Sequence, residues 1–222
     1  NNVVEYSSKI HFRNPAVSWI ADPRHFLYRS QSYVSYNTGH SEKPNRIFLQ
    51  SVHDGGRRFG SPVLVEKAGR RGDVEKNWSF FECDQLLYAV YSFQPFVVLK
   101  FDFLTVDHRQ IVKGREVFRC KWDDHSYSKK FGELRGGASP VFVDGLYYCF
   151  FQSHIRTLFG DVYTGGAFLF RHQSGQFLPF GISESPLLRL NANEYTQRPK
   201  EMLNKRVASC LYTVGAAYSK SA

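Results

Sequence analysis

Two glutamates begin the polar segments best suited to acid-base chemistry. Glu75 opens the run Glu75-Lys76-Asn77-Trp78, and Glu133 opens Glu133-Leu134-Arg135. A carboxyl group donates or accepts a proton, and two of them on opposite faces of a sugar ring suit glycosyl transfer. We therefore take Glu75 and Glu133 as the candidate acid and base or nucleophile. Asp22, Asp73 and Asp124 are candidates of lower rank. A structural ion pair or loop hydrogen bond is the alternative for each glutamate.

Basic and amide side chains accompany the glutamates and suit a ligand rich in oxygen. Lys76, Arg135 and the pair Lys205-Arg206 can hold a phosphate, a nucleotide diphosphate or an acidic sugar. Asn14 and Asn77 offer both a donor and an acceptor to sugar hydroxyls. Pairing with neighbouring glutamates is the alternative for the cations.

Three ring side chains are further candidates for ligand contacts. Trp78 and Tyr163 can stack on the apolar face of a sugar. His154 follows an apolar run and can bind phosphate or transfer a proton. Packing in the core is the alternative for Trp78, and a hydrogen-bonded core or loop histidine is the alternative for His154.

The cysteines form no metal or redox motif. The four lie far apart without a Cys-x-x-Cys pair, at Cys83, Cys120, Cys149 and Cys210. Cys83 and Cys149 lie within apolar, strand-like runs, which favours buried free thiols over disulfides. We therefore predict no metal site and no cofactor.

An internal repeat predicts the elements that position these residues. Four segments share a polar start, a short strand, a turn and a strongly apolar strand, and they begin at Asn14, Asn77, Gly136 and Lys205. Asp144-Gly145 is a strong hairpin signal, and Asp84-Gln85 takes the same place one repeat earlier. Such repeats are typical of four-stranded blades whose first strands line a central channel. Polar residues at those strand starts are then expected to converge.

The composition also favours strands. The 222 residues include 20 Phe and 13 Tyr but one Met, and aromatic residues fit pleated, half-buried surfaces. We predict one all-β domain over residues 1–222, a β-propeller, with Asp123 to Gly132 as an extended polar loop. No apolar run reaches the roughly 18 residues of a membrane span. The chain stops inside a predicted strand, so we expect the natural protein to continue.

The net charge of +9 predicts attraction to anions. Its basic residues cluster in predicted loops, and a solvated basic surface is the alternative explanation. No nucleic-acid motif accompanies the charge, so we predict no nucleic-acid partner. A Gly-x-Ser-x-Gly elbow is absent, and the Gly-rich pieces precede strands rather than helices, which excludes the common hydrolase and dinucleotide motifs.

Three segments resemble five-bladed β-propeller carbohydrate-active proteins, which include glycoside hydrolases, mannoside phosphorylases and related glycosyltransferases. They are residues 75–78 followed by 87–95, residues 133–140 and residues 147–154, and 163–168 is a weaker match. Asp22-Pro23-Arg24 only partly matches the phosphorylase motif, because the preceding glutamate is missing. The resemblance implies five blades, of which four are visible as repeats, and a carbohydrate ligand, with phosphate or a nucleotide-sugar as further ligands.

Two functions remain open at this point. The first is an enzyme that cleaves or transfers a glycosyl unit by hydrolysis, phosphorolysis or transfer. The second is a non-catalytic propeller that binds a glycan or a protein partner through the same face. Convergence of two carboxylates in one cleft would favour the enzyme.

Overall fold

The computed structural model describes residues 14–70, 72, 74–102, 111–157, 160–188 and 207–209. Within them the chain forms fifteen strands, β1 to β15, and one short α-helix, α1. The strands are Ala21–Tyr28, Gln31–Asn37, Ile47–His53, Arg58–Phe59, Val63–Lys67, Ser79–Cys83, Leu86–Phe93, Phe96–Phe101, Ile111–Cys120, Glu133–Gly136, Val141–Val143, Leu146–Thr157, Gly160–Gln173, Gln176–Ile182 and Val207–Ser209, and α1 is Tyr127–Phe131. None of the helices in this part of the chain has the length and apolar character needed to cross a membrane.

The strands form three four-stranded antiparallel units. The first unit has the order β1-β2-β3-β5 and the second β6-β7-β8-β9. In the third unit, β10 and β11 share the position of first strand beside β12, and β13 and β14 follow. The all-β prediction is confirmed, and each unit has the strand order of a propeller blade.

The same kind of tight turn joins the first two strands of each unit. The central residues of these turns all have positive φ: 50° and 59° at Arg29-Ser30, 49° and 60° at Asp84-Gln85, and 48° and 83° at Asp144-Gly145. Two consecutive residues of positive φ are what a type I′ hairpin requires. Both predicted hairpins are therefore confirmed. The first unit has a third hairpin, whose turn sequence Arg-Ser does not predict one.

A parallel pairing joins the first two units. Residues 64–67 of β5 pair with residues 111–114 of β9. The two units form one nine-stranded sheet with β4, which pairs with β3. The two strands are far apart in sequence, and no local pattern indicates this contact.

Aromatic side chains fill the space between the units. Phe26 of the first unit stacks on Phe80 of the second, with ring centroids 5.3 Å apart. Phe96 of the second unit packs on Phe168 of the third at 4.9 Å. Successive side chains of a strand point to opposite faces of its sheet, so these rings lie on the faces that adjacent units share. The packing of these faces sets the orientation of the units and of their first strands.

Two further predictions, one of a loop and one of a fourth repeat, have different outcomes. The segment predicted as an extended loop, Asp123 to Gly132, contains α1. The carboxylate of Asp124 accepts a 2.8 Å hydrogen bond from the Ser128 N–H in the helix's first turn, and a negative charge near a helix N-terminus is favourable. The predicted fourth repeat lies outside the described residues except for β15, which pairs in parallel with β13.

Candidate functional site

Asn77 lies where the three units meet. It comes just before β6, with φ at +64°. Its Oδ1 accepts a 2.7 Å hydrogen bond from Nη2 of Arg24 in the first unit and a 3.4 Å bond from Nε2 of Gln152 in the third. One amide of the second unit therefore holds side chains of both its neighbours.

Arg24 is a buried cation in this junction. Its side chain faces inward in β1, in alternation with Phe26 and Tyr28, and the residue is 6% exposed. Nε and Nη1 have no hydrogen-bond partner among the described residues. Burial lowers the pKa of Arg24, although the negative charge of Asp22 opposes this effect. A buried guanidinium with two unpaired donors is costly unless another group bonds to them.

Asp22 brings an exposed carboxylate to the same place. Its backbone has a φ of +50°, at an irregularity of the β1–β2 pairing. A residue with a Cβ is held there at a cost of about 1–3 kcal/mol, and such strain is concentrated at functional sites. The carboxylate oxygen Oδ2 accepts a 3.1 Å hydrogen bond from Nδ2 of Asn37, which ends β2. Asp22, Arg24, Asn37, Lys76 and Asn77 all line one small pocket.

A second pocket, of about 280 Å³, adjoins the first. Glu133 and Arg135, at the start of β10, line it, together with Lys76 and Asn77, which line both pockets. Nη2 of Arg135 lies 2.9 Å from Oε2 of Glu133, whose side chain is 72% exposed. Four of the predicted site residues, Lys76, Asn77, Glu133 and Arg135, are thus brought together, and Asp22 joins them.

Glu75 has a different environment. The residue is 2% exposed and lines neither pocket. Its Oε1 accepts hydrogen bonds from the Gly72 N–H at 2.7 Å and from the Tyr91 hydroxyl at 3.5 Å. Its main chain is clamped by Asn45, which accepts from the Glu75 N–H and donates to the Glu75 carbonyl. The contacts of this carboxylate tie down the loop that carries Lys76 and Asn77.

Asn14 and Trp78 are also buried. The Asn14 side chain donates to the Tyr36 hydroxyl at 2.9 Å and accepts from the Ala16 N–H at 2.9 Å, so both of its polar atoms bond within the protein. Trp78 is 3% exposed and packs against Phe80 and Tyr91, although it forms part of the wall of the first pocket.

His154 and Tyr163 extend the site along the third unit. Glu133 pairs with His154 across β10 and β12, and His154 pairs with Tyr163 across β12 and β13. Directly paired residues share a sheet face, and the rings of His154 and Tyr163 are 4.7 Å apart. The three side chains form a row that leads away from the second pocket. Asp124 caps α1, and Asp73, Lys205 and Arg206 lie outside the described residues.

Sequence reasoning missed Arg24, Asn37 and Gln152. Arg24 had the best available signal, since it occupies an inward position of an otherwise aromatic alternation in β1. Asn37 and Gln152 carry no such mark, because their roles depend on partners 15 and 75 residues away.

Comparison with known proteins supports the fold at low sequence identity. No family model matches the chain, and neither does any curated protein sequence. An α-L-arabinofuranosidase from Lactobacillus brevis superposes with a TM-score of 0.50 at 12% identity, over 82% of this chain and 61% of its own. A thermostable family-43 glycoside hydrolase gives 0.50 at 15% identity, over 78% of this chain and 57% of its own.

The chain thus spans about three fifths of the two structures it resembles. The described residues of this chain form three four-stranded units. The number of blades in this protein stays a prediction. The strand order of each unit and the two superpositions together establish the fold: this protein is an all-β β-propeller.

Proposed function

We propose that this propeller hydrolyses glycosidic bonds in the cleft around Asn77, with Asp22 and Glu133 as the two carboxylates. The observation that supports this proposal is that Lys76 and Asn77 line both the pocket of Asp22 and the pocket of Glu133. Carboxylates from the first strands of two units therefore border one cleft. The superposed arabinofuranosidase and family-43 hydrolase are consistent with this class of reaction.

The chemistry needs one proton donor and one proton acceptor. One carboxylic acid protonates the leaving oxygen as the glycosidic C–O bond breaks, and the other carboxylate takes a proton from the attacking water as the new C–O bond forms. Asp22 is held by the Asn37 amide, and Glu133 by the Arg135 guanidinium, so each has one fixed partner and exposed oxygen surface. The amide of Asn77 and the ammonium of Lys76 are positioned to bind sugar hydroxyls between them.

Glu75 receives a positioning role in this proposal. Its carboxylate accepts bonds from Gly72 and Tyr91 rather than bordering the cleft. Direct acid-base catalysis by Glu75 stays a prediction, but its contacts favour the holding of Lys76 and Asn77.

The cations favour a ligand with a negative group. Arg24, Lys76 and Arg135 outnumber the two carboxylates that line these pockets. An acidic sugar, inorganic phosphate as a second substrate, or a nucleotide-sugar would each match this charge. The same surplus supports the second candidate function, a propeller that binds an anionic glycan without cleaving it.

Hydrolysis of a panel of aryl glycosides, neutral and acidic, with and without inorganic phosphate, tests the proposal. Glu133→Gln and Asp22→Asn should each lower turnover at least a hundredfold with little change in melting temperature. Glu116→Gln is the matched control, because Glu116 also pairs with a nearby arginine, Arg119, but on β9. Equal activity of Glu133→Gln and Glu116→Gln would refute the assignment. Thermal stabilisation by a glycan without turnover would favour the binding module.

A further inference from the structure

Three potential metal ligands meet at a second junction, between the second and third units. Cys83 ends β6, Asp84 follows it in the hairpin turn, and His172 lies near the end of β13. Nδ1 of His172 is 3.2 Å from Sγ of Cys83 and 3.3 Å from Oδ2 of Asp84. One ligand atom from each residue lies within 4.8 Å of the other two.

The geometry differs from that of a catalytic relay. A nucleophile-His-carboxylate relay uses the two ring nitrogens for two different partners. Here the thiol and the carboxylate both approach the same nitrogen, Nδ1 of His172. Three donor atoms that face one another in this way suit a single cation between them.

We infer that Cys83, Asp84 and His172 form a Zn²⁺ site with one coordination position open. Zinc accepts sulfur, imidazole nitrogen and carboxylate oxygen, at roughly 2.0–2.3 Å, so that ligand atoms on a tetrahedral ion lie roughly 3.3–3.7 Å from each other. The observed separations of 3.2 and 3.3 Å are close to these values. A thiolate and an imidazole select zinc over magnesium or calcium.

The surroundings of the three residues fit this assignment. Cys83 is 4% exposed, whereas the side chain of Asp84 is 73% exposed, so the site has a buried side and a side open to solvent. The ring of His172 stacks on Phe177 with centroids 4.7 Å apart, which fixes its plane. The fourth position would face solvent beside Asp84.

The site is separate from the cleft of the proposed hydrolase. Asn77 precedes β6 and Cys83 ends it, which places the two about 20 Å apart along the strand. His172 belongs to the third unit, so a bound ion would link two units that also meet here through aromatic packing and a hydrogen bond from the Tyr147 hydroxyl to the Glu82 carbonyl. The role that follows is stabilisation of the propeller rather than catalysis.

Titration of the whole chain with Co²⁺ and Zn²⁺ tests the inference. We expect one equivalent of Co²⁺ to produce a sulfur-to-cobalt charge-transfer band. Zn²⁺ should displace the Co²⁺, remove the band and raise the melting temperature of the protein. Cys83→Ser should abolish the band and weaken Zn²⁺ binding at least tenfold. Cys120→Ser, which removes another free thiol, is the matched control and should retain both signals.

Two further variants test the other ligands. His172→Ala and Asp84→Asn should each weaken Zn²⁺ binding at least tenfold. Asp84 is exposed, so Asp84→Asn remains informative if His172→Ala does not fold. An unchanged charge-transfer band in Cys83→Ser would overturn the site, as would a wild-type protein that binds no Zn²⁺. In the latter case the three side chains form a hydrogen-bonded contact only. Neither result would bear on the cleft around Asn77, because none of the three residues lines it.

Discussion

Nη2 of Arg24 donates a 2.7 Å hydrogen bond to Oδ1 of Asn77, and this bond joins the first strand of one unit to the residue that precedes the first strand of the next. The contact links residues 53 positions apart and brings a buried charge to the cleft. A guanidinium in this position costs desolvation free energy, and the hydrogen bond to Asn77 and the negative charge of Asp22 are the interactions that oppose this cost. Under the proposed function Arg24 also binds the ligand, and this role can be tested separately from stability.

Replacement of Arg24 by methionine separates these two roles. We expect Arg24→Met to unfold in urea with a free energy within about 1 kcal/mol of the wild type or above it, since an apolar chain of similar size avoids the desolvation cost. Turnover of aryl glycosides should be lost. Arg115→Met, at an exposed arginine paired with Asp102, should change neither quantity. A loss of several kcal/mol at Arg24 would instead make it a structural residue.

Glu75 offers a test by conservative rescue. Glutamine keeps an oxygen that can accept from the Gly72 N–H and the Tyr91 hydroxyl, whereas alanine removes both bonds. Glu75→Gln is therefore expected to retain most of the turnover, and Glu75→Ala to lose it together with about 1–3 kcal/mol of stability. Steady-state kinetics measures the turnover of both variants, and urea unfolding measures their stability. If Glu75→Gln is as inactive as Glu133→Gln, Glu75 acts directly in acid-base chemistry.

Gly136 sets how closely the second and third units approach. A Cβ at this position would overlap the carbonyl group of Asn77. Gly136→Ala should therefore lower the melting temperature markedly, by the equivalent of about 1–3 kcal/mol or more. Gly181→Ala is the control, because nothing lies within 4 Å of its Cβ position. Equal melting temperatures for the two variants would show that the units do not meet as closely as the structure indicates.

Buried tyrosines predict a loss of stability in alkali. Burial raises the pKa of Tyr36 and Tyr147 in the folded protein. The unfolded chain releases these protons near pH 10, so the stabilisation is complete below about pH 10 and is lost as the pH rises above it. Urea unfolding at pH 9 and pH 11 should show this fall, and Tyr147→Phe should make it smaller. An identical pH dependence in Tyr147→Phe would exclude that residue as a source.

Local signals predicted more of the fold than of the site. Asp144-Gly145 and Asp84-Gln85 announce their hairpins because a turn is decided by adjacent residues. The pairing of β5 with β9 depends on the packing of two units, and no short pattern encodes it. The likeness between repeats still indicated the four-stranded unit, because every unit has to bury the same kind of face.

The two glutamates show why the site was harder to predict. Glu75 and Glu133 both precede apolar strands and look alike in the sequence, but one is 2% exposed as a residue and the other has a side chain 72% exposed. The difference comes from Asn45 and Tyr91, which lie 30 and 16 residues from Glu75. Cys83 and His172 are 89 residues apart, so no ligand spacing could indicate their contact.

The parallel pairing of β5 with β9 also removes a free sheet edge from each of the first two units. The outermost strand of a blade exposes unpaired N–H and C=O groups to which another chain can add a strand. Over residues 64–67 and 111–114, the first two units satisfy these groups in each other. β14 is the outermost strand of the third unit in the described part of the chain, and it carries Pro179, which has no N–H to offer. Over the described residues, mutual coverage thus removes two outer edges, and proline leaves one N–H fewer on a third.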